Sequence, residues 1–207
     1  MIIAYKNKNA EERRVFRRNI SIVLLICQFI SYGLWSFKKK TLTAFDCPCS
    51  LCFYTTVFCI IDGFKTNHIL RSYVLYVGMW GALAAYFLND ATMPFFNIFT
   101  LEFFFYHLII STYPIMLLIA GELRLNHKDI PNLFLLLCNI AWPIFLFDRM
   151  TMTNHMLLRV PLNAFPMTYF YKWFGNPGYI FGFVLCLFLI WFFIYIPKMI
   201  IYLYRKI

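Results

Sequence analysis

The stretch that decides the fold is residues 99–120, F-T-L-E-F-F-F-Y-H-L-I-I-S-T-Y-P-I-M-L-L-I-A. It contains one acidic residue, Glu102, and neither Lys nor Arg. An apolar run of about 20 residues has the length that an α-helix needs to cross the hydrocarbon core of a bilayer. This run therefore predicts a transmembrane helix.

Five further apolar runs lie on either side of this helix. They cover residues 19–35, 49–61, 70–88, 130–147 and 179–202. Over the whole chain 62% of the residues are hydrophobic and 14% are charged, whereas in soluble domains about a quarter of all residues are charged. This composition excludes a soluble globular domain and a disordered chain. The runs predict an all-α protein with six transmembrane helices in a single membrane domain over residues 1–207. The second run is short unless its helix begins near Thr43.

The distribution of basic residues predicts the orientation of these helices. The net charge is +10, but the Lys and Arg residues lie at the ends of the apolar runs, where they indicate topology and not a nucleic-acid partner. With the N-terminus inside, 13 of the 19 Lys and Arg residues fall in inner segments and 6 in outer segments. Because cytoplasmic segments are enriched in Lys and Arg, we expect both termini in the cytoplasm. Residues 1–18 are then a basic cytoplasmic anchor.

The last outer segment, residues 148–178, is long for so compact a chain. It contains Pro161, Pro166 and Pro177 together with many aromatic residues. A long loop in a compact protein is usually functional or disordered, and the aromatic content argues against disorder. We therefore expect this outer loop to pack over a cavity at the outer side of the membrane.

Two residues in the outer half of the bilayer suggest chemistry, since polar groups there are expensive and often functional. His107 lies inside the run at 99–120, and Cys52 lies near the start of the run at 49–61. A thiol at a helix N-terminus is held where the backbone N–H groups and the helix dipole favour the thiolate. A Cys and a His are the pair that covalent acyl transfer uses, with the thiolate attacking an ester and the imidazole handling the proton. The alternative for His107 is a neutral imidazole bonded to a neighbouring helix.

The cysteines at residues 47–52, C-P-C-S-L-C, allow two other interpretations. Cys49 and Cys52 form a C-x-x-C, which is typical of thiol–disulfide exchange. Cys47 with these two residues could instead bind a soft metal, although a zinc site would need a fourth ligand.

Asn154 and His155 are candidate site residues in the outer loop. An Asn side chain can orient an imidazole or donate a hydrogen bond to an oxyanion. The alternative is an Asn that only organises the loop.

Three blocks of the sequence resemble a known family of membrane proteins. The first is C-P-C-S-L-C at 47–52, similar to L-P-L-H-L-C. The second is G-A-L-A-A at 81–85, then N-D, then F-F-F-Y-H ending at His107, similar to G-x-x-A-x-x-x-P-D followed by F-F-x-x-H. The third is T-N-H-M-L-L at 153–158 followed by a proline, similar to T-N-Y-M-x-L and a proline. In this order they resemble the YwaF-type bacterial membrane proteins and the transmembrane protein 164 family.

The resemblance implies an acyltransferase that moves a fatty acyl chain between lipids through a Cys and a His. The matching positions are Cys52 as the nucleophile and His107 as the general base. The chain departs from the pattern at two positions, since Ser50 replaces the family's histidine and His155 replaces its tyrosine. Asn154 or His155 would orient the reacting groups or stabilise the oxyanion.

We therefore expect a membrane-embedded enzyme whose partners are a phospholipid acyl donor and a lyso-lipid or lipidated acceptor. The chemistry needs no cofactor and no metal, and the resemblance to bacterial proteins implies a bacterial plasma membrane. Three other functions stay open. They are a lipid ester hydrolase that uses the same Cys and His, a membrane thiol–disulfide oxidoreductase that uses Cys49 and Cys52, and a non-enzymatic lipid-binding or transport subunit.

The orientation is testable with reporter fusions at the two termini. Because the Lys and Arg excess lies in the segments assigned to the inside, a cytoplasmic reporter should be active at both the N-terminus and the C-terminus. A fusion after Trp35 should place the same reporter outside and serves as the control. Termini on opposite sides of the membrane would contradict an even number of spans.

Overall fold

The computed structural model describes residues 1–39, 43–88, 96–161, 163 and 165–204, and these residues contain helices but no strand. The α-helices in chain order are α1 (Ile2–Lys6), α2 (Ala10–Lys39), α3 (Leu51–Phe64), α4 (His68–Tyr73), α5 (Met79–Leu88), α6 (Ile98–Ile119), α7 (Ile130–Thr151), α8 (Met167–Gly178) and α9 (Ile180–Tyr204). A π-helical turn, Val74–Gly78, joins α4 to α5, and short 3-10 turns occupy Ala44–Asp46, His127–Asp129 and His155–Leu157. The all-α prediction is thus confirmed for the described residues.

The chain forms two compact units, Met1–Asn139 and Ile140–Ile207, and the division falls within α7. The first unit contains α1 to α6, and the second contains α8 and α9. The organisation of residues 1–207 as one membrane domain stays a prediction.

Three stretches of helix are long and apolar enough to cross a membrane, among the residues that the structure describes. They are Ala10–Gly33, Thr100–Ile119 and His127–Thr151. The apolar helices Leu51–Phe64 and Ile180–Ile196 are shorter, and 14 residues of α3 rise only about 21 Å at 1.5 Å per residue. The helices indicate a membrane protein, whereas six spans and the inside location of both termini stay predictions.

Helix α3 begins at Leu51 and not near Thr43. Residues Ala44–Asp46 form a separate 3-10 turn, in which the Asp46 carboxylate accepts hydrogen bonds from the backbone N–H and hydroxyl of Thr43. Ser50 is the N-cap of α3, because its Oγ accepts a hydrogen bond of 3.1 Å from the backbone N–H of Phe53. A capping serine satisfies one of the free N–H groups of the first turn. The cap therefore places Cys52 in the first turn of the helix, as the sequence predicted.

Small residues allow α3 to approach its neighbours closely. A Cβ added at Gly63 of α3 would lie 1.9 Å from Ser21 Oγ on α2, and one added at Gly78 would lie 2.3 Å from Thr55 Cγ2 on α3. The hydroxyl of Ser21 donates to the carbonyl oxygen of Cys59 at 3.0 Å across the first of these contacts. Glycines that let helix backbones approach and hydroxyls that bond across helices are typical of packing within membranes.

The outer loop predicted at residues 148–178 is more regular than the sequence suggested. Helix α7 continues to Thr151, and α8 forms from Met167 to Gly178. In the second unit Met167 and Phe170 of α8 pack with Tyr179 in a small buried core. Regular structure forms here because aromatic side chains of the loop have a core to join. The packing of this loop over a cavity at the outer side stays a prediction.

The close contact at Gly63 can be tested by adding one methyl group. Gly63→Ala should lower the free energy of unfolding by about 1–3 kcal/mol, because the new Cβ collides with Ser21 on α2 and overpacking displaces one of the two helices. Thermal melting of the purified protein in detergent measures this effect.

Gly33→Ala is the matched control, since a Cβ at Gly33 meets no atom within 4 Å. This variant should be unchanged or slightly more stable, because Ala favours the helix by up to about 1 kcal/mol over Gly. A Gly63→Ala protein that melts like the parent would contradict the close packing of α2 on α3.

Candidate functional site

Cys52 lies in the first turn of α3, where the sequence predicted a nucleophile. Its side chain is partly buried and the thiol is free. The Ser50 cap begins the helix two residues earlier, so the free N–H groups of the first turn surround this position. The thiol therefore lies at the N-terminal, positive end of the α3 dipole.

The hydroxyl of Tyr106 fixes the turn that carries Cys52. Tyr106 Oη lies 3.0 Å from the carbonyl oxygen of Cys52 and 3.3 Å from Gln28 Oε1, and it accepts a hydrogen bond of 2.6 Å from Thr56 Oγ1. These contacts join α2, α3 and α6 at a single oxygen. Because Tyr106 precedes His107 in α6, the contact brings the turn that holds His107 to the level of Cys52.

His107 is buried and has a defined tautomer. Its Nδ1 lies 2.8 Å from the carbonyl oxygen of Phe103 in the same helix, and a carbonyl oxygen can only accept. Nδ1 therefore carries the proton, and Nε2 of the neutral ring presents a lone pair. The rings of Phe103, Tyr106 and Tyr86 surround the imidazole, with centroids 4.2, 5.1 and 6.0 Å away.

This tautomer is the one that a general base needs at Nε2. The hydrogen bond is made within α6, so it differs from the alternative in which the imidazole bonds a neighbouring helix. Ser111, one turn further along α6, donates to the backbone oxygen of His107 at 2.9 Å.

Cys52 and His107 belong to helices that contact each other, but the described residues show no hydrogen bond between Cys52 Sγ and the imidazole. Catalytic hydrogen bonds in ligand-free enzymes are often long and form only with substrate. Catalysis by this pair stays a prediction. The structure connects the two residues through Tyr106, which precedes His107 in α6 and contacts the backbone of Cys52.

The other cysteines of the cluster do not form the geometry of a metal site. Cys47 Sγ and Cys49 Sγ lie 3.1 Å apart. Within the described residues no three His, Cys, Asp or Glu side chains are arranged to hold a metal ion. The metal interpretation therefore has no support among these residues. The close sulfur–sulfur contact is between Cys49 and Cys47, and not within the C-x-x-C pair of Cys49 and Cys52.

His155 is paired with a carboxylate that the sequence analysis missed. In the second unit, His155 Nδ1 lies 2.7 Å from Asp148 Oδ1, and Asp148 is fully buried. Thr153 Oγ1 donates to the same carboxylate oxygen at 2.7 Å. A buried carboxylate fixes the orientation of an imidazole and leaves Nε2 for chemistry. Asp148 is the only acidic residue after Asp129, and this isolation was the available signal.

Asn154 uses its side chain to organise the loop that follows it. Its Oδ1 accepts hydrogen bonds from the backbone N–H groups of Arg159 and Val160, at 3.0 and 2.9 Å, and its Nδ2 donates to the carbonyl oxygen of Val160 at 3.0 Å. These contacts are those of the loop-organising alternative. A contribution of Asn154 to an oxyanion stays a prediction.

The predicted site residues thus fall into two groups. Cys52 and His107 belong to the first unit, and Asn154 and His155 belong to the second. The convergence of all four residues on one site stays a prediction. Sequence reasoning also missed the positioning roles of Gln28 and Thr56, because both are ordinary polar residues within apolar runs and become informative only through Tyr106.

Comparisons with known proteins give a family and no individual relative. Neither the curated proteins nor the solved structures contain a match to this chain. The model of the TMEM164 family matches residues 1–195, nearly the whole chain and all three blocks of the resemblance. The chain therefore belongs to the TMEM164 family.

Proposed function

We propose that this protein is a membrane acyltransferase that moves a fatty acyl chain from a phospholipid to a lyso-lipid or lipidated acceptor through a thioester on Cys52. Family membership supports a membrane enzyme of this class. The observation that carries the proposal is the contact of Tyr106 Oη with the backbone of Cys52. It relates a thiol at a helix N-terminus to a histidine whose Nε2 is available as a base.

In the first half-reaction the acyl chain moves from the donor lipid to the enzyme. His107 Nε2 takes the thiol proton as Cys52 Sγ forms a bond to the carbonyl carbon of the donor ester. The ester C–O bond then breaks, the acyl group stays on sulfur as a thioester, and the leaving alkoxide takes the proton from His107. The released product is a lyso-phospholipid.

In the second half-reaction the acyl chain moves to the acceptor. Its hydroxyl gives a proton to His107 Nε2 as its oxygen attacks the thioester carbonyl carbon. The C–S bond breaks, and the thiolate takes back the proton. One ester is exchanged for another, so the balance requires no oxidant and no external energy. A single Cys and a single His serve both halves in this scheme.

The surroundings of the two residues suit a lipid substrate. Aromatic rings enclose the His107 imidazole, and a low-dielectric site strengthens the interactions that stabilise the developing oxyanion. Asn154 or His155 would contribute to that stabilisation. We place the reaction in the outer leaflet, because the orientation from Lys and Arg counts puts the start of α3 on the outer side. A bacterial plasma membrane is the proposed location.

Substitution of the two central residues tests this mechanism. Cys52→Ala should abolish acyl exchange, and His107→Ala should reduce kcat by about 10²–10⁴-fold, the range for a general base. Because the two act as one unit, the double variant should be no worse than Cys52→Ala alone. Purified protein in liposomes with an added lyso-lipid gives the rate, and intact-protein mass spectrometry detects the acyl adduct on Cys52.

Cys49→Ser is the matched thiol control and should keep its activity, since neither half-reaction uses a second thiol. A redox enzyme would show the opposite pattern, with Cys49 essential and His107 of little importance. Full exchange activity in Cys52→Ala would refute the assignment of the nucleophile.

The role of Tyr106 as a positioning residue gives a second test. Tyr106→Phe keeps the ring beside His107 but removes the hydroxyl that contacts Cys52, Gln28 and Thr56. We expect kcat to fall by about tenfold with KM unchanged, together with a loss of about 1–3 kcal/mol in stability from the buried groups left unpaired. Kinetics well below each melting temperature separate the two effects.

Tyr86→Phe is the control for this substitution, because its ring also lies beside His107 but its hydroxyl donates to the backbone oxygen of Phe104. It should change kcat much less than Tyr106→Phe does. Equal kcat values for both variants would exclude a positioning role for the Tyr106 hydroxyl.

A further inference from the structure

In the first unit, arginine side chains of α2 and α4 surround the carboxylate of Glu122, near the N-terminus of the chain. Arg17 Nη1 lies 2.5 Å from Glu122 Oε2, Arg71 Nη2 lies 3.5 Å from the same oxygen, and Arg13 Nη1 lies 3.7 Å from Glu122 Oε1. Tyr5 Oη donates to Glu122 at 2.9 Å and accepts from Arg17 at 2.7 Å. Burial raises the pKa of Tyr5 to about 12, so its hydroxyl is protonated near neutral pH.

A cavity of about 530 Å³ opens beside this cluster. Its size falls in the range of small-molecule sites. The residues that line it include Lys8, Arg13, Arg17, Thr66, Arg71 and Glu122. The side chains come from the N-terminal segment and the start of α2, from the α3–α4 connection and α4, and from the segment after α6. Elements far apart in sequence therefore contribute cations to the same space.

The charges around the cavity do not balance. Four of its lining residues are cations and one is a carboxylate. Arg71 has a second partner, since its Nε donates to Asp62 Oδ1 at 2.6 Å. Even when Asp62 is included, two positive charges remain in excess around the cavity. Because the side chains of Arg17 and Arg71 are buried, such an excess is expensive unless an anion is present.

The guanidinium groups also have unused donors. Arg17 and Arg71 are 7% and 5% exposed. Among the described residues Arg17 Nε and Arg71 Nη2 make no hydrogen bond, and the approach of Arg71 Nη2 to Glu122 Oε2 at 3.5 Å is an ion pair only. Arg13 Nε makes no hydrogen bond to these residues either. Buried polar groups in folded proteins are nearly always hydrogen-bonded, so unpaired donors from three arginines beside one cavity require an explanation. Guanidinium groups match the geometry of phosphate oxygens particularly well.

We propose that this cavity is a binding site for a phosphate-bearing anion. The arginines would hold the phosphate oxygens through charge-assisted hydrogen bonds, and Lys8 would add a mobile positive charge at the rim. The carboxylate of Glu122 faces the same space and holds the arginines in position, although it also repels an anion. The proposal is independent of acyl transfer, because none of these residues has a part in the proposed reaction.

The phosphate has two possible sources. On the orientation from the Lys and Arg counts, this end of the unit lies at the cytoplasmic surface, where basic pockets between helices bind lipid headgroups. An anionic phospholipid of that leaflet would present its phosphate at this level. A soluble phosphate compound would enter the cavity from the aqueous side. The recognition chemistry is the same for both sources.

Binding to the purified full-length protein tests the proposal. Inorganic phosphate is titrated by calorimetry at fixed ionic strength, and phosphatidylglycerol is compared with phosphatidylcholine by native mass spectrometry. Lys8→Gln should weaken binding by roughly tenfold, as expected for the loss of one charge-assisted contact. Glu122→Gln should strengthen binding, because it removes the repelling charge while keeping the shape.

Arg14→Gln is the matched control. Arg14 lies in the same basic segment, but it is exposed and paired with Glu11 at 2.7 Å, and it does not line the cavity. Its substitution should change binding by less than about twofold, because exposed charges are screened by salt. The opposite effects expected for Lys8→Gln and Glu122→Gln cannot arise from a simple loss of folding.

The two binding measurements distinguish the possible ligands and can overturn the proposal. Saturable binding of phosphatidylglycerol without phosphate binding supports a lipid headgroup, and saturable binding of inorganic phosphate supports a site that recognises the phosphate group alone. No saturable binding of either probe would overturn the proposal. Equal weakening by Lys8→Gln and Arg14→Gln would also overturn it, because that result indicates attraction by overall charge.

Discussion

The hydroxyl group of Tyr106 joins three helices of the first unit, since it contacts Gln28 of α2, Thr56 of α3 and the backbone of Cys52. In an apolar environment such a hydroxyl has no water to bond, so these contacts fix the relative height of the helices more strictly than apolar packing does. Helix α3 is only 14 residues long, and its other polar contacts, at Cys59 and Asp62, lie toward its C-terminal end. At the N-terminal end the Tyr106 hydroxyl is therefore the contact that relates the level of Cys52 to that of His107.

The polar groups of the first unit are separated into two regions with different chemistry. The side chains that hydrogen-bond to Tyr106 are neutral, and aromatic rings surround the neighbouring His107 imidazole. Around Glu122 the groups are charged, and arginines outnumber carboxylates. Coulomb forces act over longer distances where water is excluded. In the proposed reaction, an excess of positive charge close to the imidazole would oppose its protonation.

Much of the fold could be predicted from sequence because helical runs within a membrane depend on local composition. The runs at 99–120 and 130–147 correspond closely to α6 and α7. The start of α3 was harder, because Pro48 and Ser50 override the apolar pattern and the cap at Ser50 decides where the helix begins.

The candidate site could be predicted only for residues whose presence in an apolar run is itself unusual. His107 and Cys52 met that condition, whereas Asp148 and Tyr106 did not. Asp148 matters because it contacts His155, and Tyr106 matters because it contacts the Cys52 backbone. A tertiary contact of this kind leaves no local pattern in the sequence. The cavity beside Glu122 could not be predicted for the same reason, since its cations come from segments separated by more than 50 residues.

The π-helical turn at Val74–Gly78 determines the rotation of α5 about its own axis. All five of its residues are buried, and a π-turn inserts one extra residue into an α-helix. One residue corresponds to about 100° of rotation about the axis. The insertion therefore sets the azimuth of all of α5, so that Gly81 meets Leu51 of α3 and Tyr86 meets His107 of α6. A chain without that extra residue would rotate α5 by about 100° and turn both contacts away from their partners.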